Sequence, residues 1–182
     1  MSLSTPRLET ARFDLRPLER GDTAALFPTF ADATQCRYLT RPAFADEAEL
    51  EGWLFDPDWD GRTWIAIDRT SGAVAGRFVA VPGHDDGVAE IGYVVVMERH
   101  GEGVARECTA ALVSQLFAEG HRKVIAEVDS ENVASIRLLG SLGFTREARF
   151  RQHETTHIGL RDVEMWGVLA GEQHCGIEND SQ

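Results

Sequence analysis

No apolar run among the 182 residues approaches the ~20 residues that a membrane-spanning helix needs, and no charged-then-apolar secretory segment opens the chain. A cytoplasmic protein without a membrane partner is expected. Cysteine is scarce: Cys36, Cys108 and Cys175 are odd in number, far apart and without CxxC spacing, which suggests neither a disulfide framework nor a zinc site. All three are read as free thiols, and no metal is expected. Basic side chains are outnumbered 18 to 30, and the formal charge of -12 repels nucleic acid while concentrating cations. No linker-like stretch divides the chain. Its length suits one domain burying roughly two thirds of its unfolded surface, expected over residues 5–169 and followed by a polar tail over 170–182.

The acid is unevenly spread. Residues 42–61 hold Asp46, Glu47, Glu49, Glu51, Asp56, Asp58 and Asp60 and no Lys, Arg or His. Such a run serves either as a solvated face that aids solubility or as a funnel for an amine.

Periodicity orders the rest. Residues 12–18 alternate like a half-buried strand, residues 21–32 read as a helix capped by Asp22 with Pro28 as an interruption, and 46–55 as a second, amphipathic helix. The runs 62–70 and 73–82 are strand-like and flank Ser71-Gly72, a hairpin signal; 88–96 is the strongest strand of the chain. Apolar residues at 104, 108, 111, 112 and 116 predict a helix ending near Gly120. A strand at 123–130, a short helix at 131–143 closed by Gly143, and strands at 144–154 and 157–169 complete the order. The fold class is α/β: a mixed sheet with a strand–helix–strand crossover at its centre.

The link between the strand at 88–96 and its following helix carries chemistry. A strand that passes through a glycine turn into a helix leaves the first helical N–H groups unpaired at the positive end of the dipole, a pyrophosphate site in outline. Glycine at 101 and 103 lets an anion approach the backbone and permits positive φ. Alone, Gly-x-Gly also serves merely as a tight connection. It is neither a Walker loop nor a dinucleotide fingerprint, whose third glycine is missing. About thirty residues on, "NVASIRLLGSLGF" (132–144) starts at Asn132 directly after a strand, where an N-cap is the ordinary role.

Together, "GYVVVMERHGEGVA" (92–105) and "NVASIRLLGSLGF" resemble the GNAT superfamily of acyl-CoA-dependent N-acyltransferases, specifically its RimJ/RimL-type branch. "TPRLETARFDLRPL" (5–18) and "GLRDVEMWGVL" (159–169) look similar to that branch too. The resemblance implies a GNAT fold of about seven strands and about four helices. Its central strands, here 88–96 and 123–130, splay to admit the pantetheine arm of acetyl-CoA. It places that arm against the backbone of Tyr93, Val94 and Val95. The pyrophosphate falls on the amides of Gly101, Glu102, Gly103, Val104 and Ala105, with Asn132 and Ser135 also at the cofactor. One departure is His100, which stands where the family has Gln or Arg.

The resemblance also implies direct transfer of an acetyl group to a primary amine. A lysine-like amine of pKa ~10.4 loses its proton at about 4–5 kcal/mol at pH 7, so a base matters. Glu127 matches the general base of related ribosomal-protein N-acetyltransferases; Glu90 is the other candidate, acting through water. Strand carboxylates are also often only solvent-facing. Many members of the superfamily use a tyrosine seven residues after the Asn as general acid, but that position is Leu139 here. The RimJ/RimL-type pattern instead implies a serine three residues after the Asn, here Ser135, to bond the sulfur or pantetheine and deliver the proton; its ordinary role is to cap the helix. Cys108 is read as a buried apolar residue, and Trp53, Trp59 and Trp64 as core, rim or a wall of the acceptor site. The expected acceptor is cationic: a peptide N-terminus, a polyamine or an aminoglycoside-like amine. A non-catalytic acyl-CoA-binding regulatory module and a carboxylated donor such as succinyl-CoA stand as alternatives, and both monomer and homodimer fit.

Overall fold

A computed structural model describes residues 4–172; Cys175 and residues 173–182 of the expected tail lie outside the described residues. In chain order the elements are β1 (Leu8–Glu9), β2 (Phe13–Pro17), α1 (Thr23–Phe30), α2 (Glu47–Leu54), β3 (Arg62–Asp68), β4 (Val74–Pro82), β5 (Val88–Val95), α3 (Val104–Ala118), β6 (Lys123–Asp129), α4 (Val133–Ser141), β7 (Thr145–Thr156) and β8 (Gly159–Leu169). The strands form one sheet in the order β1-β2-β3-β4-β5-β6-β8-β7.

The sheet therefore has eight strands where about seven were expected. The additional one, β1, is two residues long, too short for any period to register. It forms because Thr10 closes a turn, its amide donating to the Phe13 carbonyl and its Oγ1 accepting from the Phe13 amide. Asp22 is a second correction. It precedes α1, but its carboxylate is buried and accepts both terminal nitrogens of Arg16 and the Glu19 amide instead of capping the helix. Pro28 sits inside α1 without interrupting it, two residues before its end.

Two cores flank the sheet. On one face β-strand residues such as Trp64, Phe78, Ile91 and Val124 pack against Cys108, Leu112 and Leu116 of α3 and Leu139 of α4. On the other, Ile65 and Val96 pack against Leu26 and Phe30 of α1, and Leu50 and Leu54 of α2. Each layer buries its apolar face against the sheet, the usual way such a chain hides both surfaces. No helix among the described residues is long and apolar enough to cross a membrane.

What positions the site is a failure of pairing at the centre. β5 and β6 are parallel and hydrogen-bond only where Val88, Ala89 and Glu90 oppose Lys123, Val124 and Ile125. Beyond that, β5 stays with β4 to Val95 and β6 stays with β8 to Asp129. The two halves of the sheet part, and a wedge opens between residues 91–95 and 126–129.

Candidate active site

The wedge continues as a cleft of about 650 Å³. Its floor is the exposed backbone of β5, including Tyr93, Val94 and Val95, and its opposite wall is Ala126 to Asp129 of β6 with Asn132 and Ser135 at the start of α4. Leu39, Tyr38 and Gln35, from the segment after α1, close one side. The Tyr38 hydroxyl reaches across and donates to the Glu131 carbonyl at 3.1 Å.

One end of the cleft is lined by Gly101, Gly103, Val104 and Ala105. Gly101 and Gly103 have φ of 79° and 77°, so both need the left-handed region that glycine enters without strain. Gly103 is the N-cap of α3, and the first helical amide to find a partner is that of Glu107, which donates to the Gly103 carbonyl. The amides from Gly101 to Arg106 have no acceptor among the described residues, so they form a concave set of donors at the positive end of a fifteen-residue helix. That is the chemistry a diphosphate needs, and it requires no particular side chain.

His100 lines the cleft, and its Nε2 donates to the Val95 carbonyl at 3.0 Å, tying the turn to the end of β5. Arg99 also lines the cleft and is held by Asp68 at 2.8 Å and Glu102 at 2.6 Å, so it braces the turn. The Arg99 bond first, with those from the Ser71 amide and hydroxyl and the Thr70 amide, holds the Asp68 carboxyl well below the usual range. Glu102 contributes its backbone to the turn, while its side chain serves Arg99. The cation the sequence reading missed is Arg106, in the first turn of α3. It lines the cleft, is exposed and has no ion pair among the described residues. Its distance of three from Gly103 was the available signal. Arg106→Ala is expected to weaken acetyl-CoA binding about three- to tenfold at low salt, a loss that shrinks as salt rises; titration at two ionic strengths checks it.

Asn132 is the N-cap of α4, its Oδ1 accepting from the Ser135 amide at 3.2 Å. That bond fixes the first turn and presents Ser135 to the cleft. Ser135 faces Tyr93, whose Oη is buried and lacks a hydrogen bond of ordinary geometry. Burial pushes the Tyr93 phenol up, and the Ser135 hydroxyl partly offsets it. An orphaned buried hydroxyl costs about 1–3 kcal/mol, which makes this one an expected contact for whatever fills the cleft.

Two carboxylates belong to the other face of the sheet. Alternation along β5 sends Ala89, Ile91 and Tyr93 toward α3, hence Glu90 away from it; along β6, Val124, Ala126 and Val128 likewise send Glu127 away. Glu127 lines the cleft and is exposed, with no ion pair among the described residues. Glu90 is half-buried in the last paired rung, opposite Ile125, and does not line the cleft. Its carboxyl is raised above the ordinary range, first by burial and then by the negative charge of Glu127. A raised acid is more protonated folded than unfolded, so stability falls as pH climbs past the unfolded value of ~4.3. Glu90→Gln is therefore expected to raise Tm at pH 7 and to bring no gain below about pH 4, which a thermal melt at both pH values tests. Asp129 also lines the cleft but is bound to Arg161 at 2.7 and 3.0 Å.

The acidic run at 42–61 contributes none of its residues to the cleft. Asp46 caps α2, Glu49 pairs with Arg41 and Glu51 with Arg20, the roles of a solvated, self-bracing face. Trp64 is fully buried and donates Nε1 to the Pro6 carbonyl, while the buried Arg77 guanidinium lies over the Trp53 ring at 4.6 Å and nearer the edge of contact with Trp59 at 5.8 Å. Cys108 is fully buried in the α3 core, where burial pushes its thiol up to about 12, so it is no acyl carrier. No cluster of three or more metal-ligating side chains occurs among the described residues.

Comparison with known proteins agrees with this geometry. The family described as acetyltransferase (GNAT) domain matches residues 12–145. The chain is 28% identical over 172 residues to "Uncharacterized N-acetyltransferase p20" of Bacillus licheniformis, covering 91% of this chain and 97% of that protein. The crystal structure of a GCN5-related N-acetyltransferase from Brucella melitensis superposes with a TM-score of 0.84 at 27% identity, over 94% of this chain and 82% of that one. The spermidine N-acetyltransferase of Vibrio cholerae, solved with CoA and spermine, shares the fold at a TM-score of 0.77 and 20% identity, over 89% and 98% of the two chains.

Proposed function

This chain belongs to the GNAT family of acetyltransferases and is an acyl-CoA-dependent N-acetyltransferase with acetyl-CoA as donor, and from that premise we propose that its acceptor is a cationic primary amine seated beside Glu127. The observation that carries the acceptor class is the state of Glu127. It is a cleft carboxylate without a cation of its own among the described residues, while neighbouring Asp129, Glu131 and Glu164 are all engaged by arginines. An ammonium supplies the missing partner, and Glu90 behind it deepens the negative field.

In this reading the backbone of Tyr93 to Val95 and the amides of Gly101 to Ala105 hold the donor, with Arg106 at the rim and Asn132 and Ser135 opposite. The bound donor supplies an activated acetyl thioester. Glu127 orients the amine and takes its proton, directly or through water, with Glu90 as the reserve base. Peptide N-termini and polyamines both present the required group; the Vibrio cholerae neighbour acts on spermidine, which favours trying polyamines first. The motifs at 92–105 and 132–144 support a place in the RimJ/RimL-type branch. The free thiols of Cys36 and Cys108 fit a cytoplasmic setting, where reducing conditions keep them so.

The test is a panel of polyamines, aminoglycosides, basic peptides, neutral amines and acidic peptides, incubated with acetyl-CoA and read for mass gain of the acceptor. Acetylation confined to cationic acceptors supports the proposal; equal or better turnover of acidic or neutral amines overturns the acceptor class.

A further inference from the structure

We propose that Tyr93 is the proton donor to the departing sulfur of the acyl donor, a role for which the sequence offered only Ser135. The proposal rests on the acetyl-transfer reading above. Tyr93 lies on β5 three residues beyond the last rung shared with β6, so it stands where the strands have parted, and it lines the cleft. Its Oη is buried and without a hydrogen bond of ordinary geometry. The residue opposite is Ser135, held in place by the Asn132 cap.

Elimination leads to the same atom. The position seven residues after Asn132 is Leu139, fully buried in the core, so α4 sends no phenol into the cleft. The chain has two tyrosines, and the other, Tyr38, is committed to the Glu131 carbonyl. The His100 ring is turned onto the Val95 carbonyl. Among the cleft's other ionisable side chains, Arg99 and Asp129 are engaged in ion pairs, Glu127 is the candidate base, and Arg106 stands at the far end beside the cradle. No other weak acid among them is available to meet a thiolate.

The step balances. The amine nitrogen bonds to the acetyl carbon and the C–S bond breaks, its electron pair staying on sulfur. Glu127 first takes the ammonium's proton and passes it to solvent, so the nitrogen attacks as the free amine; the Tyr93 O–H proton then passes to the sulfur, and the proton the nitrogen loses on becoming an amide goes to Glu127. The phenolate regains a proton through the Ser135 hydroxyl from water, and Glu127 returns its proton to solvent, so an amide and a free thiol leave. Burial keeps the phenol protonated across the working range. The same burial penalises a developing thiolate, as it does the Cys108 thiol in the adjoining core, so the sulfur accepts the proton as it departs.

Tyr93→Phe removes one oxygen and no packing atom. In the full chain it is expected to lower kcat about 10²-fold while acetyl-CoA affinity stays within about threefold of wild type. A second readout needs no turnover: the ratio of the affinities for CoA and for desulfo-CoA, which lacks the sulfur, should fall about fivefold in Tyr93→Phe as the hydrogen bond to sulfur is lost. Ser135→Ala should keep more of the rate than Tyr93→Phe. Turnover within threefold of wild type, an unchanged CoA to desulfo-CoA ratio, or outright loss of acetyl-CoA binding in Tyr93→Phe each overturns the proposal. Wild type that acetylates no amine sinks the acceptor reading instead, and the CoA to desulfo-CoA comparison still decides whether Tyr93 meets the sulfur.

Discussion

Replacing Glu127 by Gln is expected to lower kcat for a polyamine or lysine-like acceptor by about 10²- to 10⁴-fold at pH 7, the range ascribed to a positioned base. The argument is one of protonation. An amine of pKa ~10.4 is present as the free base in fewer than one molecule in a thousand at pH 7, a cost of about 4–5 kcal/mol unless a neighbour takes the proton within the complex. Glu127 is the cleft carboxylate placed to do so, and its removal also withdraws the charge that raises Glu90, bringing the Glu90 carboxyl closer to its ordinary value. The variant's rate should then follow the free-amine fraction, rising about tenfold per pH unit toward the acceptor's own pKa, whereas wild type rises less steeply. An α-amine of pKa ~7.8 should suffer far less, because little deprotonation is left to catalyse. A drop of less than about fivefold with a lysine-like acceptor would remove Glu127 as the base and point to Glu90.

The second large effect separates folding from binding at the cradle. Ala105 stands in the first turn of α3, part-exposed and lining the cleft. An aspartate there suits the helix, because a negative charge near the N-terminus is stabilising by about 0.3–1 kcal/mol. It does not suit a diphosphate, since two charges ~5 Å apart at an effective dielectric of ~20 repel by about 3 kcal/mol. Ala105→Asp is expected to keep or slightly raise Tm and to weaken acetyl-CoA binding by about 10²-fold, recovering in part at high salt. Unchanged affinity at low salt would move the diphosphate away from these amides.

The sequence disclosed as much of this site as is written in backbone. Glycines 101 and 103, the strand before them and the helix after them dictate a donor cradle whatever surrounds it, and Asn132 dictates where α4 begins. The bounds of the long elements came out within about two residues for the same reason, since period and caps are local. Side-chain engagement is not written in spacing: nothing in the motif shows that the Val95 carbonyl holds the His100 ring or that Asp68 holds Arg99. Arg106 was passed over because a lone arginine on a helix carries no signal until its neighbours are seen to be paired elsewhere. Tyr93 was legible as backbone only; that its hydroxyl is buried without a hydrogen bond where β5 and β6 part is a consequence of each strand keeping its outer partner. β1 was missed because two residues hold no period.

The most direct test of the account is an equilibrium titration of acetyl-CoA into the wild-type protein and Ala105→Asp side by side. The account predicts saturable, salt-sensitive binding at one site in wild type and a loss of about 10²-fold in the variant at equal fold stability. Absence of binding to wild type, or equal binding to both, would contradict it.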